Sequence, residues 1–153
     1  MKVIEKINLI WALVVTVLSG ILGTYWYLFA AFLALNVLDY ITGVIKARRY
    51  KKENSNKGLD GIIKKFGYWV VIAISFFLSR AFIGLGKDIG VDLGFTMFLG
   101  WFVLTTFLIN EVRSILENLV LMGVWVPEWL TRGLKVAADK INGAAGGDSD
   151  EHN

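Results

Sequence analysis

The chain has 153 residues, of which 56% are hydrophobic and 19% are charged, and its formal net charge is +3. A soluble domain of this size needs more polar surface to cover its core, so a mean hydropathy of +0.58 indicates an integral membrane protein instead. The absence of cysteine excludes disulfides, thiol catalysis and cysteine-ligated metals. The single histidine, His152, lies in the tail "GGDSDEHN", and no nucleotide-binding loop or catalytic triad is present. We therefore predict no enzyme activity, no metal and no cofactor.

Four apolar segments are long enough to cross a bilayer, which takes roughly 20 residues of helix. The first stretch, from Ile7 to Ile45, contains one charge, Asp39, and is interrupted at residues 19–27 by "SGILGTYWY". Glycines followed by aromatic residues are typical of a turn at the membrane interface, so this stretch predicts a tight hairpin of two helices. Of the two later runs, one has Arg80 as its only charge and the other has none. The predicted spans are about 7–23, 25–45, 66–84 and 94–112.

The placement of lysine and arginine predicts the orientation of these spans. Eight of the 16 basic residues lie in a predicted loop at 46–65, which the positive-inside rule places in the cytoplasm. Four spans then put both termini in the cytoplasm, whereas three spans, the alternative, would put the N-terminus outside. Because apolar sequence continues past Leu18, a cleaved signal peptide is the less favoured interpretation of the first segment.

The basic loop also predicts a binding preference. Lysines beside a span act mainly on topology and on anionic lipid, at about 1 kcal/mol per charge near the surface. Nucleic-acid binding would require aromatic residues among the basic ones, and Tyr50 is the only such residue in the loop. We therefore expect contact with membrane lipids and none with nucleic acid. The basic cluster predicted to contact lipid consists of Lys46, Arg48, Arg49, Lys51, Lys52, Lys64 and Lys65.

The region after the fourth span predicts an amphipathic helix at 128–142 that lies in the membrane interface. Charges between residues 111 and 117 exclude another ordinary span, and Pro127 is suited to open a helix. A helix packed on a protein partner is the alternative. Residues 1–142 are then a single membrane domain, and the acidic tail 143–153 is predicted to be disordered. The apolar stripe of the helix consists of Leu130, Leu134, Ala137, Ala138 and Ile141.

Asp39 is the most informative single residue, because it lies about 9 Å inside the predicted end of its span. A carboxylate at that depth is costly unless it faces protein or water. Helical spacing places it on a polar stripe that either lines a pore or a subunit contact, or forms an internal tie to Arg80 or to the basic loop. Both interpretations stay open. The stripe consists of Asn36, Asp39, Tyr40, Gly43 and Lys46.

Two segments of the chain resemble the signature of the bacteriophage holin family, which includes toxin-secretion holins. The first is "LDYITGVIKARR" followed by "SNKGLDGIIKK", the second is "NEVRSILENLVLMGVWVPEWL", and the resemblance covers about residues 25 to 135. Asn56 and Lys57 depart from the family pattern, in which a second small residue is more frequent after Ser55. The matching positions are Asp39, Tyr40, Thr42, Gly43, Ser55, Gly58, Gly61, Lys65, Asn110, Glu111, Ser114, Ile115, Glu117, Asn118, Gly123 and Pro127.

The resemblance implies a phage-encoded protein of the bacterial cytoplasmic membrane that accumulates and then oligomerises into holes. Such holes release a cell-wall-degrading endolysin and collapse the membrane potential. The implied partners are lipids, other copies of the chain and, functionally, an endolysin, without direct contact being implied. Two alternatives stay open. One is an antiholin that delays lysis by forming mixed oligomers, and the other is a small selective channel that uses Asp39 and Arg80 as relay charges.

Overall fold

The computed structural model describes residues 2–50 and 55–146. Four of its helices are long and apolar enough to cross a membrane, and the described residues include no strand. This architecture confirms the predicted all-α fold of a membrane protein with four spanning helices. Short 3-10 turns at Gly23–Tyr25 and Gly94–Thr96 precede the second and fourth helices. The helices are α1 (Lys2–Leu22), α2 (Trp26–Arg49), α3 (Ser55–Ile89), α4 (Met97–Leu121) and α5 (Glu128–Gly146).

The hairpin between α1 and α2 turns at Gly23, whose φ of 74° lies in the left-handed region that favours glycine. Arg80 of α3 closes the end of α1, because its Nε donates a hydrogen bond to the carbonyl oxygen of Ile21 at 3.1 Å. A cation is favourable at this point because the last carbonyl oxygens of a helix accept hydrogen bonds from basic side chains and carry the negative end of the helix dipole. Arg80 therefore contacts the end of α1, and the alternative in which it pairs with Asp39 is wrong.

The helices extend beyond the predicted spans. α2 continues to Arg49 and α3 begins at Ser55, so the segment predicted as a loop at 46–65 is helical at both ends. Lysine and arginine are good helix formers, and a helix does not have to end where the apolar sequence ends. Residues 51–54, which include two lysines of the basic cluster (Lys51 and Lys52), lie outside the described residues.

The core of the bundle is formed by α2, α3 and α4, with α4 packed against both of the others. Phe32 of α2, Ile72 and Phe76 of α3 and Leu104 of α4 are almost completely buried and form one apolar cluster. The ring of Phe76 meets Trp101 edge to face, with 5.0 Å between the ring centroids. This packing holds the three helices together and fixes which of their faces meet.

Helix α1 contacts the rest of the bundle mainly near its C-terminal end, where Leu22 is its only buried residue among those described. In the N-terminal half of α1, Leu9 and Trp11 are 76% and 63% exposed. Apolar surface of this extent along a spanning helix has to be covered by lipid or by other helices.

Helix α5 folds back against α4. It ends at Gly146, four residues beyond the predicted boundary at 142, so its last turn belongs to the segment that was predicted to be disordered. Residues 147–153 of that segment lie outside the described part of the chain. The basic residues Arg132, Lys135 and Lys140 are exposed. All members of the predicted apolar stripe are half-buried, namely Leu130, Leu134, Ala137, Ala138 and Ile141. The stripe therefore packs on α4 of the same chain, and its position in the membrane interface stays a prediction.

Candidate functional site: a charged cluster between three helices

The candidate site is a cluster of polar side chains between the facing surfaces of α2, α3 and α4. Within α2 the contributing residues are three, four and seven positions apart, and within α4 they are seven apart, so each set occupies one face of its helix. One lysine of α3 lies between the two faces. We call this group the polar cluster. It consists of Asp39, Thr42 and Lys46 from α2, Lys65 from α3, and Glu111 and Asn118 from α4.

Lys65 is the centre of the polar cluster. Its Nζ lies 3.0 Å from Oδ2 of Asp39 and also forms an ion pair with Oε2 of Glu111. The side chains of Lys65 and Asp39 are each 16% exposed, and that of Glu111 is 5% exposed. One cation therefore joins carboxylates from two different helices at a place that solvent barely reaches. Pairs buried in this way are screened by salt much less than pairs on the surface.

Asn118 extends the polar cluster along α2. Its Nδ2 donates hydrogen bonds to Oδ1 of Asp39 at 3.1 Å and to Oγ1 of Thr42 at 3.2 Å. Its Oδ1 accepts a hydrogen bond from Nζ of Lys46. The amide thus presents its two donors to acceptors and its acceptor to a cation, which uses both ends of the group.

The polar cluster is balanced in charge and in hydrogen bonding. Two lysines and two carboxylates give formal charges that cancel. No buried side-chain nitrogen or oxygen in the described part of the chain lacks a hydrogen-bond partner. The same part contains no group of three or more histidine, cysteine or acidic residues that could hold a metal ion. The geometry therefore describes a self-contained ionic tie between helices.

The structure brings only part of the predicted polar stripe together. Asn36 is buried, and its Oδ1 accepts a hydrogen bond from Nε1 of Trp69 at 3.2 Å, which links α2 to α3. Gly43 faces Asn118, although a Cβ built on it would lie 3.8 Å from Nδ2, so close approach does not require glycine there. Tyr40 is 49% exposed and lies outside the polar cluster.

Two lysines of the predicted basic cluster, Lys46 and Lys65, lie in the polar cluster instead of at the lipid surface. The physical reason is that α2 extends to Arg49 and α3 begins at Ser55, so both helices have residues of the basic segment on the face that packs against α4. Arg48, Arg49 and Lys64 are not part of the polar cluster, and Arg49 and Lys64 are exposed, as contact with lipid headgroups requires.

The remaining residues of the second motif lie on other surfaces. Glu117 pairs with Arg113 at 2.8 Å on an exposed face of α4. Asn110 is exposed and faces α5, where it lines a small cavity with Ile141. Pro127 immediately precedes α5, and its carbonyl oxygen accepts a hydrogen bond from the amide of Leu130.

Three glycines of the two motifs lie in a turn or in the first turns of a helix. Gly123 has a φ of 84° in the turn after α4, a conformation that favours glycine. Gly58 and Gly61 lie in the first turns of α3, and no atom lies within 4 Å of a Cβ built on either. The side chain of Ser55 lies outside the described residues.

A second polar contact, at the other end of α3, was not predicted as a site. Ser79 is fully buried, and its hydroxyl lies 2.8 Å from the carbonyl oxygens of both Ser75 and Thr96, which share its one proton. Thr96 in turn donates from Oγ1 to the carbonyl oxygen of Ser79 at 3.2 Å. The serine pair, four residues apart in an apolar run, predicts close contact with a neighbouring helix, but its spacing does not identify the partner.

Comparison with known proteins finds a family match whose range includes both motifs. The sequence profile of the bacteriophage holin family matches residues 16–139. The chain belongs to this family. It is similar to a probable holin of Bacillus phage phi105, with 32% identity over 104 residues that cover 68% of this chain and 69% of that protein. The resemblance identified from the two motifs is thereby confirmed.

The chain is also similar to proteins of bacteria. An uncharacterized protein of Clostridium perfringens strain 13 is 35% identical over 130 residues, which cover 83% of this chain and 87% of the relative. An uncharacterized protein of Halalkalibacterium halodurans is 29% identical over 125 residues, which cover 82% and 88%. No solved structure matches the chain. Family membership and four apolar helices together make this a multi-pass membrane protein with a holin-like role.

Proposed function

We propose that the protein is a holin that oligomerises in the bacterial cytoplasmic membrane and forms lesions through which an endolysin leaves the cytoplasm. The observation that carries the proposal is the polar cluster, which places four charged side chains between three helices that are long and apolar enough to cross a membrane. Near the end of a membrane span, ionisable residues are costly unless they face a partner or water. In one closed chain they face each other, and in an open oligomer they line the lesion.

The opening step follows from the dependence of ion pairs on their surroundings. Two unit charges at 4 Å attract by about 4 kcal/mol at an effective dielectric constant of 20, and by about 1 kcal/mol in bulk water. Water that enters between α2, α3 and α4 therefore weakens the tie that Lys65 makes with Asp39 and Glu111. Without water, the polar cluster stabilises the closed bundle, and with water between the helices it stabilises the bundle less.

The exposed length of α1 supports assembly from several copies. Because α1 is held to its own bundle mainly near Leu22, most of its surface remains available to helices of neighbouring copies. Helices in lipid associate through close packing and interhelical hydrogen bonds, both of which need such free faces. We propose that both termini face the cytoplasm, since the basic residues concentrate where α2 ends and α3 begins.

Regulated expression of the chain in bacteria tests the proposed function directly. We expect growth to continue during accumulation and then to stop abruptly, with loss of membrane potential and escape of a co-expressed endolysin. The measurements are optical density, a potential-sensitive dye and endolysin activity outside the cytoplasm. Survival with an intact potential would contradict the proposal. An antiholin would be harmless alone and would delay killing by a second holin, whereas a selective channel would pass ions without passing an endolysin.

Replacement of Asp39 by leucine tests whether the polar cluster controls opening. The change leaves Lys65 with one carboxylate and gives the cluster a net positive charge, which favours hydration and so the open form. We expect lysis earlier than in the wild type at equal protein levels. Tyr40→Leu is the matched control, because this neighbouring side chain is exposed and lies outside the cluster. Unchanged lysis time and oligomer formation for Asp39→Leu would remove the polar cluster from the mechanism.

A further inference from the structure

A groove with a cavity of about 580 Å³ lies between α4 and α5. This volume is in the range of pockets that bind small molecules. Leu116 and Val120 of α4 and Leu134 of α5 form its apolar walls. Helical spacing puts these α4 residues on the face turned away from Glu111 and Asn118, so the groove is separate from the polar cluster.

The rim of the groove is basic. Arg113, Arg132 and Lys135 lie along it. Arg113 pairs with Glu117, and Arg132 pairs with Glu128, but these side chains are between 59% and 82% exposed. Exposed pairs of this kind contribute little free energy and exchange readily for another anion. Lys135 has no ion-pair partner within residues 2–50 and 55–146, so the rim carries one positive charge in excess.

The level of the groove along α4 points to the headgroup region of the bilayer. The apolar run that predicts the fourth span ends near residue 112, and the groove occupies α4 from Arg113 to Leu121. Trp125 and Trp129, in the connection to α5 and its first turn, are 82% and 72% exposed. Tryptophan is enriched at this level of membrane proteins because its ring is apolar and its N–H group is polar.

We propose that this groove is a binding site for one anionic phospholipid. An acyl chain lies against Leu116, Val120 and Leu134, and the phosphate accepts hydrogen bonds from Lys135 and from an arginine of the rim. The apolar walls match the chain, the excess positive charge matches the headgroup, and the groove opens at the level where the two meet. Such a lipid would join α5 to α4, and the site does not depend on lesion formation.

The test uses the full chain, purified in detergent and stripped of lipid. Binding is measured by native mass spectrometry for phosphatidylglycerol, for phosphatidylcholine with the same acyl chains, and for glycerol phosphate. We expect phosphatidylglycerol to bind at least about tenfold more tightly than phosphatidylcholine, and glycerol phosphate not to bind. Equal binding of the two lipids would overturn the proposal, as would binding of glycerol phosphate alone, which would indicate a site for free phosphate.

Two single variants distinguish binding in the groove from general electrostatic attraction of anionic lipid to the basic helix. Lys135→Gln is expected to weaken phosphatidylglycerol binding about fivefold, the factor that corresponds to about 1 kcal/mol for one charge at the surface. Lys140→Gln removes the same charge from the exposed face of α5 outside the groove and is expected to have no effect. Equal losses in the two variants would overturn the proposal.

A third variant fills the groove and keeps its charges. Val120→Trp places a large side chain where the acyl chain would lie, so we expect it to abolish binding of both lipids. Circular dichroism and the unfolding temperature show whether the variant is folded. If it is not folded, the comparison of Lys135→Gln with Lys140→Gln still tests the site, because both changes lie at exposed positions. A folded Val120→Trp protein with wild-type lipid binding would overturn the placement of the acyl chain.

Discussion

Replacement of Lys65 by methionine is expected to lower the free energy of unfolding by about 3–5 kcal/mol, the usual cost of breaking a buried ion pair by removing one partner. The variant leaves Asp39 and Glu111 without the cation that both share, at a place where their side chains are only 16% and 5% exposed. Lys64→Met is the matched control, because this neighbouring lysine is exposed and should change stability by no more than about 0.5 kcal/mol. The measurement is thermal or denaturant unfolding in one detergent.

A double variant distinguishes charge from packing as the cause of that loss. Lys65→Met combined with Glu111→Gln removes one positive and one negative charge, so Asp39 and Lys46 remain as a neutral pair bridged by Asn118. We expect the double variant to be more stable than Lys65→Met alone, although it carries one more substitution. If the losses of the two single variants simply add, the side chains stabilise the bundle through packing and the ionic tie is not its basis.

The four spanning helices could be predicted because bilayer thickness fixes how much apolar sequence a span needs. Helical periodicity also placed Asp39 on one face with Lys46, since residues seven apart in one helix point the same way. Periodicity carries no information about which helices meet. The ion pairs of Lys65 with Asp39 and Glu111 join residues 26 and 46 positions apart, so they depend on the packing of α2, α3 and α4. The prediction that Lys65 belongs to the basic cluster and contacts lipid rests on composition, which does not distinguish the faces of a helix.

The same limit explains why Gly100 was not identified. A single glycine in an apolar run is compatible with many environments, whereas the glycines of the family motifs within helices are Gly43, Gly58 and Gly61. In the structure these three have open space or ordinary contacts at the Cβ position. Gly100 is buried, and the ring of Phe76 from α3 lies directly against its backbone. The glycine that permits close approach between spanning helices is therefore outside both motifs.

Replacement of Gly100 by alanine is accordingly expected to destabilise the protein by about 1–3 kcal/mol, the usual cost of overpacking a core. The new Cβ would lie 2.6 Å from Cδ1 of Phe76, whose ring is fully buried and is held by Trp101 on one edge. Gly84→Ala in α3 is the control, because nothing lies within 4 Å of its Cβ position. There the better helix propensity of alanine should raise stability by up to about 1 kcal/mol.

Thermal unfolding of Gly100→Ala and Gly84→Ala tests this directly, because the expected changes in stability have opposite signs. A change of the same sign in both variants would contradict close packing at Gly100. A smaller partner residue supplies the second test. In a protein that carries Phe76→Leu, the space opposite residue 100 is larger, so Gly100→Ala should cost less than it does in the wild type. Contacting residues typically show coupling of about 0.5–3 kcal/mol in such cycles. Absence of coupling would mean that α3 and α4 adjust their separation freely, and the bundle would then not be held at this contact.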